Sequence, residues 1–123
     1  MKTILMILTQ HYLMALTVYK KWDIVLVDLN PTKGSEISKI RPCLIVSPNS
    51  INTYMKTIVI VPFTSKPKGY PFRILTNHNN IAGELCFDHI KSIDKSRIIK
   101  ADGSILKSLR MSINNLLIEF FNE

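Results

Sequence analysis

Apolar positions along the chain come in short runs, separated by polar stretches marked by Pro, Gly and Asn. Residues 20–29, 41–47 and 56–63 carry Val, Ile and Leu in dense succession and read as strands. The run Ile58, Val59, Ile60 and Val61 is apolar throughout, as expected of a strand buried on both faces. Shorter strands are expected over 72–76, 84–87, 89–93 and 97–101. Turns are expected at 48–52, 77–80 and 94–96, with Asp102-Gly103 closing the last strand. From Ser104 the period changes. Ile105, Leu109, Ile113, Leu116 and Phe120 then fall on one helical face. Many short strands followed by one helix predict a mainly β domain, a small and strongly bent barrel capped by a C-terminal α-helix.

A length of 123 residues suits one domain with a modest core. Charge narrows the partners: 16 Lys+Arg against 9 Asp+Glu leave a net +7, which favours nucleic acid or an acidic protein segment. Cys43 and Cys86 lie on apolar runs without CxxC or Cys/His spacing, so buried free thiols and a cytoplasmic setting are expected. Histidines and carboxylates form no metal-binding pattern, and no cofactor is expected. At the N-terminus, residues 1–18 join Lys2 to an apolar run broken by Gln10 and His11. That run is short for a membrane span and lacks a cleavage site. We expect an extension outside the domain 19–123, with Met14 as the biological start, or else a short accessory helix. Intact mass of the native protein distinguishes them.

Two basic loops carry the candidate chemistry. The first, residues 30–40, opens with Asn-Pro and contains Thr32, Lys33, Gly34, Ser35 and Glu36. It ends at Arg41, whose backbone Pro42 biases toward the extended region. A guanidinium leaving the chain from a fixed place can donate two parallel hydrogen bonds to a phosphate. Thr64 sits where a strand ends, so its hydroxyl can face a groove. The second loop, residues 65–71, holds Ser65, Lys66, Lys68, Gly69 and Tyr70. Lys33, Lys66 and Lys68 suit an electrostatic rim, and Tyr70 and Phe72 suit stacking surfaces for single-stranded RNA. Taken singly, each of these also fits a solvated lysine or a core aromatic.

The blocks 23–28, 31–36 and Arg41-Pro42, then 61–65 with 68–72, then 88–97, resemble in order the signature of the MazF/PemK toxin endoribonucleases. The resemblance spans about residues 20–122. It implies an SH3-like barrel of the CcdB/MazF type, a symmetric homodimer with RNA grooves near its interface, and an antitoxin partner with an acidic segment. The implied activity is metal-independent, sequence-specific cleavage of single-stranded RNA, leaving 2′,3′-cyclic phosphate and 5′-hydroxyl ends. Arg41 and Thr64 match the catalytic Arg and Thr, and Ser35 matches a serine that helps bind RNA. Lys33, Gly34, Glu36, Ser65, Lys66, Lys68, Tyr70 and His89 are the further RNA-binding candidates.

Three positions depart from the family pattern. Trp22 stands where a Gly is usual, and covers a barrel end or stacks on a base. Ile37-Ser38-Lys39-Ile40 replaces glycines, which bears on loop flexibility. His89 stands where Gln is common, as a half-buried strand residue or as a group that reads a base or moves a proton. The rival functions are a CcdB-like gyrase poison and an inactive binding module. The intact Arg41 and Thr64 argue against both.

Overall fold

The computed structural model describes residues 3–6 and 18–122. Met14, the expected start, lies outside the described residues. Seven strands are present: β1 (Asp23–Asp28), β2 (Ile40–Ile45), β3 (Thr57–Thr64), β4 (Arg73–His78), β5 (Ile81–Cys86), β6 (Lys91–Asp94) and β7 (Ile98–Ser104). Helices α1 (Asn49–Tyr54) and α2 (Arg110–Phe121) accompany them, and residues 3–6 are also helical. All strand pairs are antiparallel, in the order β4-β5-β3-β2-β1-β7 with β6 also on β3. The eight-residue β3 organises the sheet. Its first half pairs with β6 and its last two residues pair with β5.

This arrangement explains the unbroken apolar runs. Ile24, Leu44, Val61 and Phe63 face one core, which α2 covers through Ile113, Leu116 and Leu117. Their neighbours Val25, Val27, Cys43, Ile45, Ile58 and Ile60 face a second core with Ile93. Both faces of β1–β3 are therefore buried, and alternation is lost. Both cysteines are free and buried. Burial pushes the Cys43 thiol up to about 12 and the Cys86 thiol up to about 11. Among the described residues no helix is long and apolar enough to cross a membrane.

The mainly β architecture with a closing helix is as expected, with one difference: the barrel is not closed by backbone pairing. β4 and β7 are the free ends of the strand path. Side chains span the gap. His78 Nε2 lies 2.8 Å from Asp102 Oδ2, and Asn79 Nδ2 donates to Asp102 Oδ1 at 3.3 Å. His78 is thus no solvated loop residue. It ends β4 with its side chain only 11% exposed.

Other local expectations change for stated reasons. Residues 49–54 form a helix rather than a turn, because Asn52 is buried and donates to the Ser47 carbonyl at 2.8 Å. Asp102-Gly103 does not end β7. It occupies a register shift opposite β1, with Gly103 at φ +96°. α2 starts later than expected, after a 3₁₀ turn at Lys107–Leu109. Trp22 has φ +81°, a conformation that favours glycine, and its ring packs on the first core. Arg110 and Lys21 cover it, at 5.6 Å and 4.8 Å from the ring centroid. Packing is therefore its role, not stacking on a base.

Candidate active site

The ends of β2 and β3 bring Arg41 and Thr64 together. Cys43 pairs with Pro62, and continuing that register sets Arg41 opposite Thr64. Arg41 Nη1 donates to Thr64 Oγ1 at 3.4 Å, and Arg41 Nε donates to the Ser38 carbonyl at 2.7 Å. Thr64 Oγ1 also accepts the Lys66 N–H at 3.2 Å. The guanidinium is therefore anchored at one end, while Nη2 and one Nη1 proton stay uncommitted. Among the described residues it has no carboxylate partner.

The first loop is held at its base and by its middle. Leu29 N–H donates to the Lys39 carbonyl at 3.0 Å, and Arg97 donates to the Asp28 and Asn30 carbonyls. Ile37 packs against the second core. The departure from the family glycines thus gives this loop an apolar anchor. Lys39 takes the strained φ of +75° that a glycine would accept more easily. Ser35 reaches the Arg41 cavity. Lys33 and Glu36 instead close a local turn around Gly34 (φ +59°), with Glu36 Oε1 accepting the Lys33 N–H at 3.2 Å.

A buried carboxylate organises the second loop. Glu84, opposite Thr64 in the β3–β5 register, is fully buried. It accepts the Lys68 N–H at 2.9 Å, the Gly69 N–H at 3.4 Å and Arg73 Nη1 at 2.7 Å. Arg73 also grips Asp88 with two bonds, Nε to Oδ1 at 2.6 Å and Nη2 to Oδ2 at 2.9 Å. Burial alone would raise the Glu84 carboxyl. The Lys68 N–H, Arg73 and the Gly69 N–H outweigh burial and hold it below its usual value. Burial likewise opposes, and Arg73 reverses, the shift at Asp88, which is also lowered. The Asp88 bonds dominate the raised value of Arg73.

Ser35, Arg41, Thr64, Lys66, Lys68 and His89 line one cavity of about 260 Å³, together with Ile37 and Arg73. His89 sits on the 3₁₀ turn Phe87–His89 rather than on a strand. Of the other candidates, Ser65 lines a neighbouring cavity of about 370 Å³ that shares Arg41. Tyr70 is exposed beside the site, its ring 5.1 Å from Arg73 Cζ and 5.7 Å from Lys68 Nζ. Phe72 is not a stacking surface: it packs on the first core and meets Phe120 edge-on at 5.1 Å. Among the described residues no cluster of His, Cys, Asp and Glu could hold a metal ion. Sequence reasoning missed Arg73 and Glu84. A Glu inside an apolar strand run was the available signal.

Arg41, Lys66 and Lys68 leave the cavity cationic, and a hydroxyl pair stands beside them. Cations and hydroxyl donors so placed have the chemistry to bind and polarise a phosphate. The chain is 38% identical over 71 residues to the endoribonuclease toxin MazF of Escherichia coli K12, covering 58% of this chain and 64% of that protein's length. The MazF crystal structure from Deinococcus radiodurans superposes with a TM-score of 0.76 at 27% identity, covering 87% of this chain and 99% of that one. A MazE–MazF structure from the same organism gives a TM-score of 0.71 at 27% identity, covering 86% and 97%. The family profile described as PemK-like, MazF-like toxin of type II toxin-antitoxin system matches residues 20–121. With this profile spanning most of the chain and the fold in agreement, the chain belongs to the PemK-like, MazF-like toxin family of type II toxin–antitoxin systems.

Proposed function

We propose that this chain is the toxin of such a pair, an endoribonuclease that cuts single-stranded RNA without a metal ion. The observation that carries the reading is the anchored Arg41, touching Thr64 in a cationic cavity and unpaired with any carboxylate among the described residues. The ribose 2′-OH attacks the adjacent phosphorus and the 5′-oxygen leaves. Negative charge builds on the non-bridging oxygens as it does so. The free Arg41 protons can donate to those oxygens, and Thr64 supplies a hydroxyl fixed by the Lys66 N–H. Ser35, Lys66 and Lys68 bind the flanking backbone, with Tyr70 and Ser65 placed to meet neighbouring nucleotides.

An antitoxin with an acidic, initially disordered segment would lie across the same cationic surface. Two copies of the chain would form the working homodimer. The test uses a single-stranded RNA that the protein cuts once. A lone 2′-deoxy sugar at that position should abolish the cut, and the RNA product should end in a 2′,3′-cyclic phosphate. Cutting of the deoxy substrate, or 5′-phosphate ends, would contradict the mechanism.

A further inference from the structure

Arginine is a poor base, because its guanidinium holds its proton far above neutral pH. The cleavage proposed above therefore lacks a group to take the 2′-hydroxyl proton. Among the residues lining the Arg41 cavity, His89 has the side-chain class that exchanges a proton near neutrality. It is also the end of a continuous set of charged contacts. Its Nε2 lies 3.5 Å from Asp88 Oδ2. Asp88 is gripped by Arg73, Arg73 by Glu84, and Glu84 sits opposite Thr64 in the sheet. Arg73 holds Asp88 with two bonds and Glu84 with one, and the set starts from the strand that pairs with the threonine's own strand. A carboxylate on the Nε2 side favours the tautomer with its proton on Nε2 and its lone pair on Nδ1 once the two groups close to hydrogen-bond distance. A carboxylate orients the imidazole of a hydrolytic triad in the same way.

We propose that His89 is the general base of the cleavage, with Asp88, Arg73 and Glu84 as its positioning residues. The inference rests on the reading of this site as a ribonuclease. Nδ1 takes the 2′-hydroxyl proton while the O2′–P bond forms and the P–O5′ bond breaks. The 5′-oxygen takes a proton from water, and the imidazolium returns its proton to the hydroxide so formed. No oxidation change or further reactant is involved. The charged groups facing His89 are Asp88 on its own turn, Arg73 from β4, Arg41 from β2, and Lys66 and Lys68 from the second loop.

The experiment is single-turnover cleavage of a one-site RNA across pH, beside binding of its uncleavable 2′-deoxy analogue. The wild-type rate should fall on the acid side, as the base becomes protonated. His89→Gln should lower the rate by about a hundred- to ten-thousand-fold and lose that acid limb, with analogue affinity unchanged. Added imidazole should restore part of the rate to His89→Ala. Asp88→Asn should lower the rate with analogue affinity unchanged, and Glu84→Gln should lower the rate through loop and Asp88 placement. If His89→Gln keeps the wild-type limb and rate while Arg41→Ala is inactive, the site is a ribonuclease and the base is not His89. If only analogue affinity falls, His89 binds RNA and moves no proton. A wild type that cuts no RNA removes the ribonuclease reading itself, and this inference with it.

Discussion

Arg41 and Arg73 line the same cavity from different strands and stand in opposite electrostatic states. Arg73, with a side chain 6% exposed, spends every nitrogen on Glu84 and Asp88. Arg41 spends one nitrogen on a backbone carbonyl and one on a hydroxyl, and meets no carboxylate among the described residues. The lesson is that lining a cavity does not make a cation available to a phosphate. Arg73 is structural: it holds a buried carboxylate, a loop and the turn that bears His89. Arg41 is the one we propose to meet substrate.

Exchanging the two arginines for alanine should therefore separate function from stability. Arg41→Ala should lower the cleavage rate about a hundred- to a thousand-fold, with the denaturation midpoint unchanged. Arg73→Ala should leave Glu84 buried without its cation, at a cost of about 3–5 kcal/mol measured by urea unfolding. Equal losses of stability in the two variants would break the comparison. Gly83→Ala is the next largest expected change. A Cβ there would sit 2.1 Å from the Thr64 carbonyl oxygen, so strand β5 must shift. The expected loss is about 1–3 kcal/mol in urea, with a fall in rate as Thr64 moves.

Acid should act on the Arg73 side of the cavity first. Glu84, Asp88 and Asp102 all have carboxyls held below their usual values. Such groups contribute stability above about pH 4, and lose it as pH falls through the lower, folded-state values. Thermal melts from pH 6 downward should show a decline beginning near pH 4. That decline should be shallower in Glu84→Gln. The smallest effect belongs to the gap between β4 and β7. His78, the dominant cause at Asp102, outweighs burial there, yet both groups are partly solvated. Asp102→Asn should cost less than about 1 kcal/mol, read by urea unfolding. A larger loss would mean that this pair, rather than backbone pairing, holds the barrel edge.

What could be read from the chain follows from the range of the forces involved. Local signals marked both loops, through a pre-proline arginine, a strand end, and clustered Gly, Lys and Ser, but only the family resemblance singled out Arg41 and Thr64. The strands were legible too, since doubly buried β1–β3 are continuously apolar. The positioning cluster was not. Arg73, Glu84 and Asp88 meet only through the β4–β5 register and the turn after it, and a Glu inside an apolar run signals burial but not the three donors that hold it. His78 and Asp102 were misread for the same reason, as a polar turn and a strand-ending Asp-Gly. Lying 24 residues apart, they meet across the two edge strands. Trp22 shows the converse. A glycine-like φ of +81° is tolerated because the ring gains the first core and two cations.

The most direct test is cleavage of a long single-stranded RNA in EDTA by the wild type and by Arg41→Ala, with both variants shown to melt alike. Discrete cuts by the wild type alone are the predicted result, and mapping them gives the recognition sequence. Cuts of equal rate by both proteins, or none by either, would contradict an Arg41-centred ribonuclease.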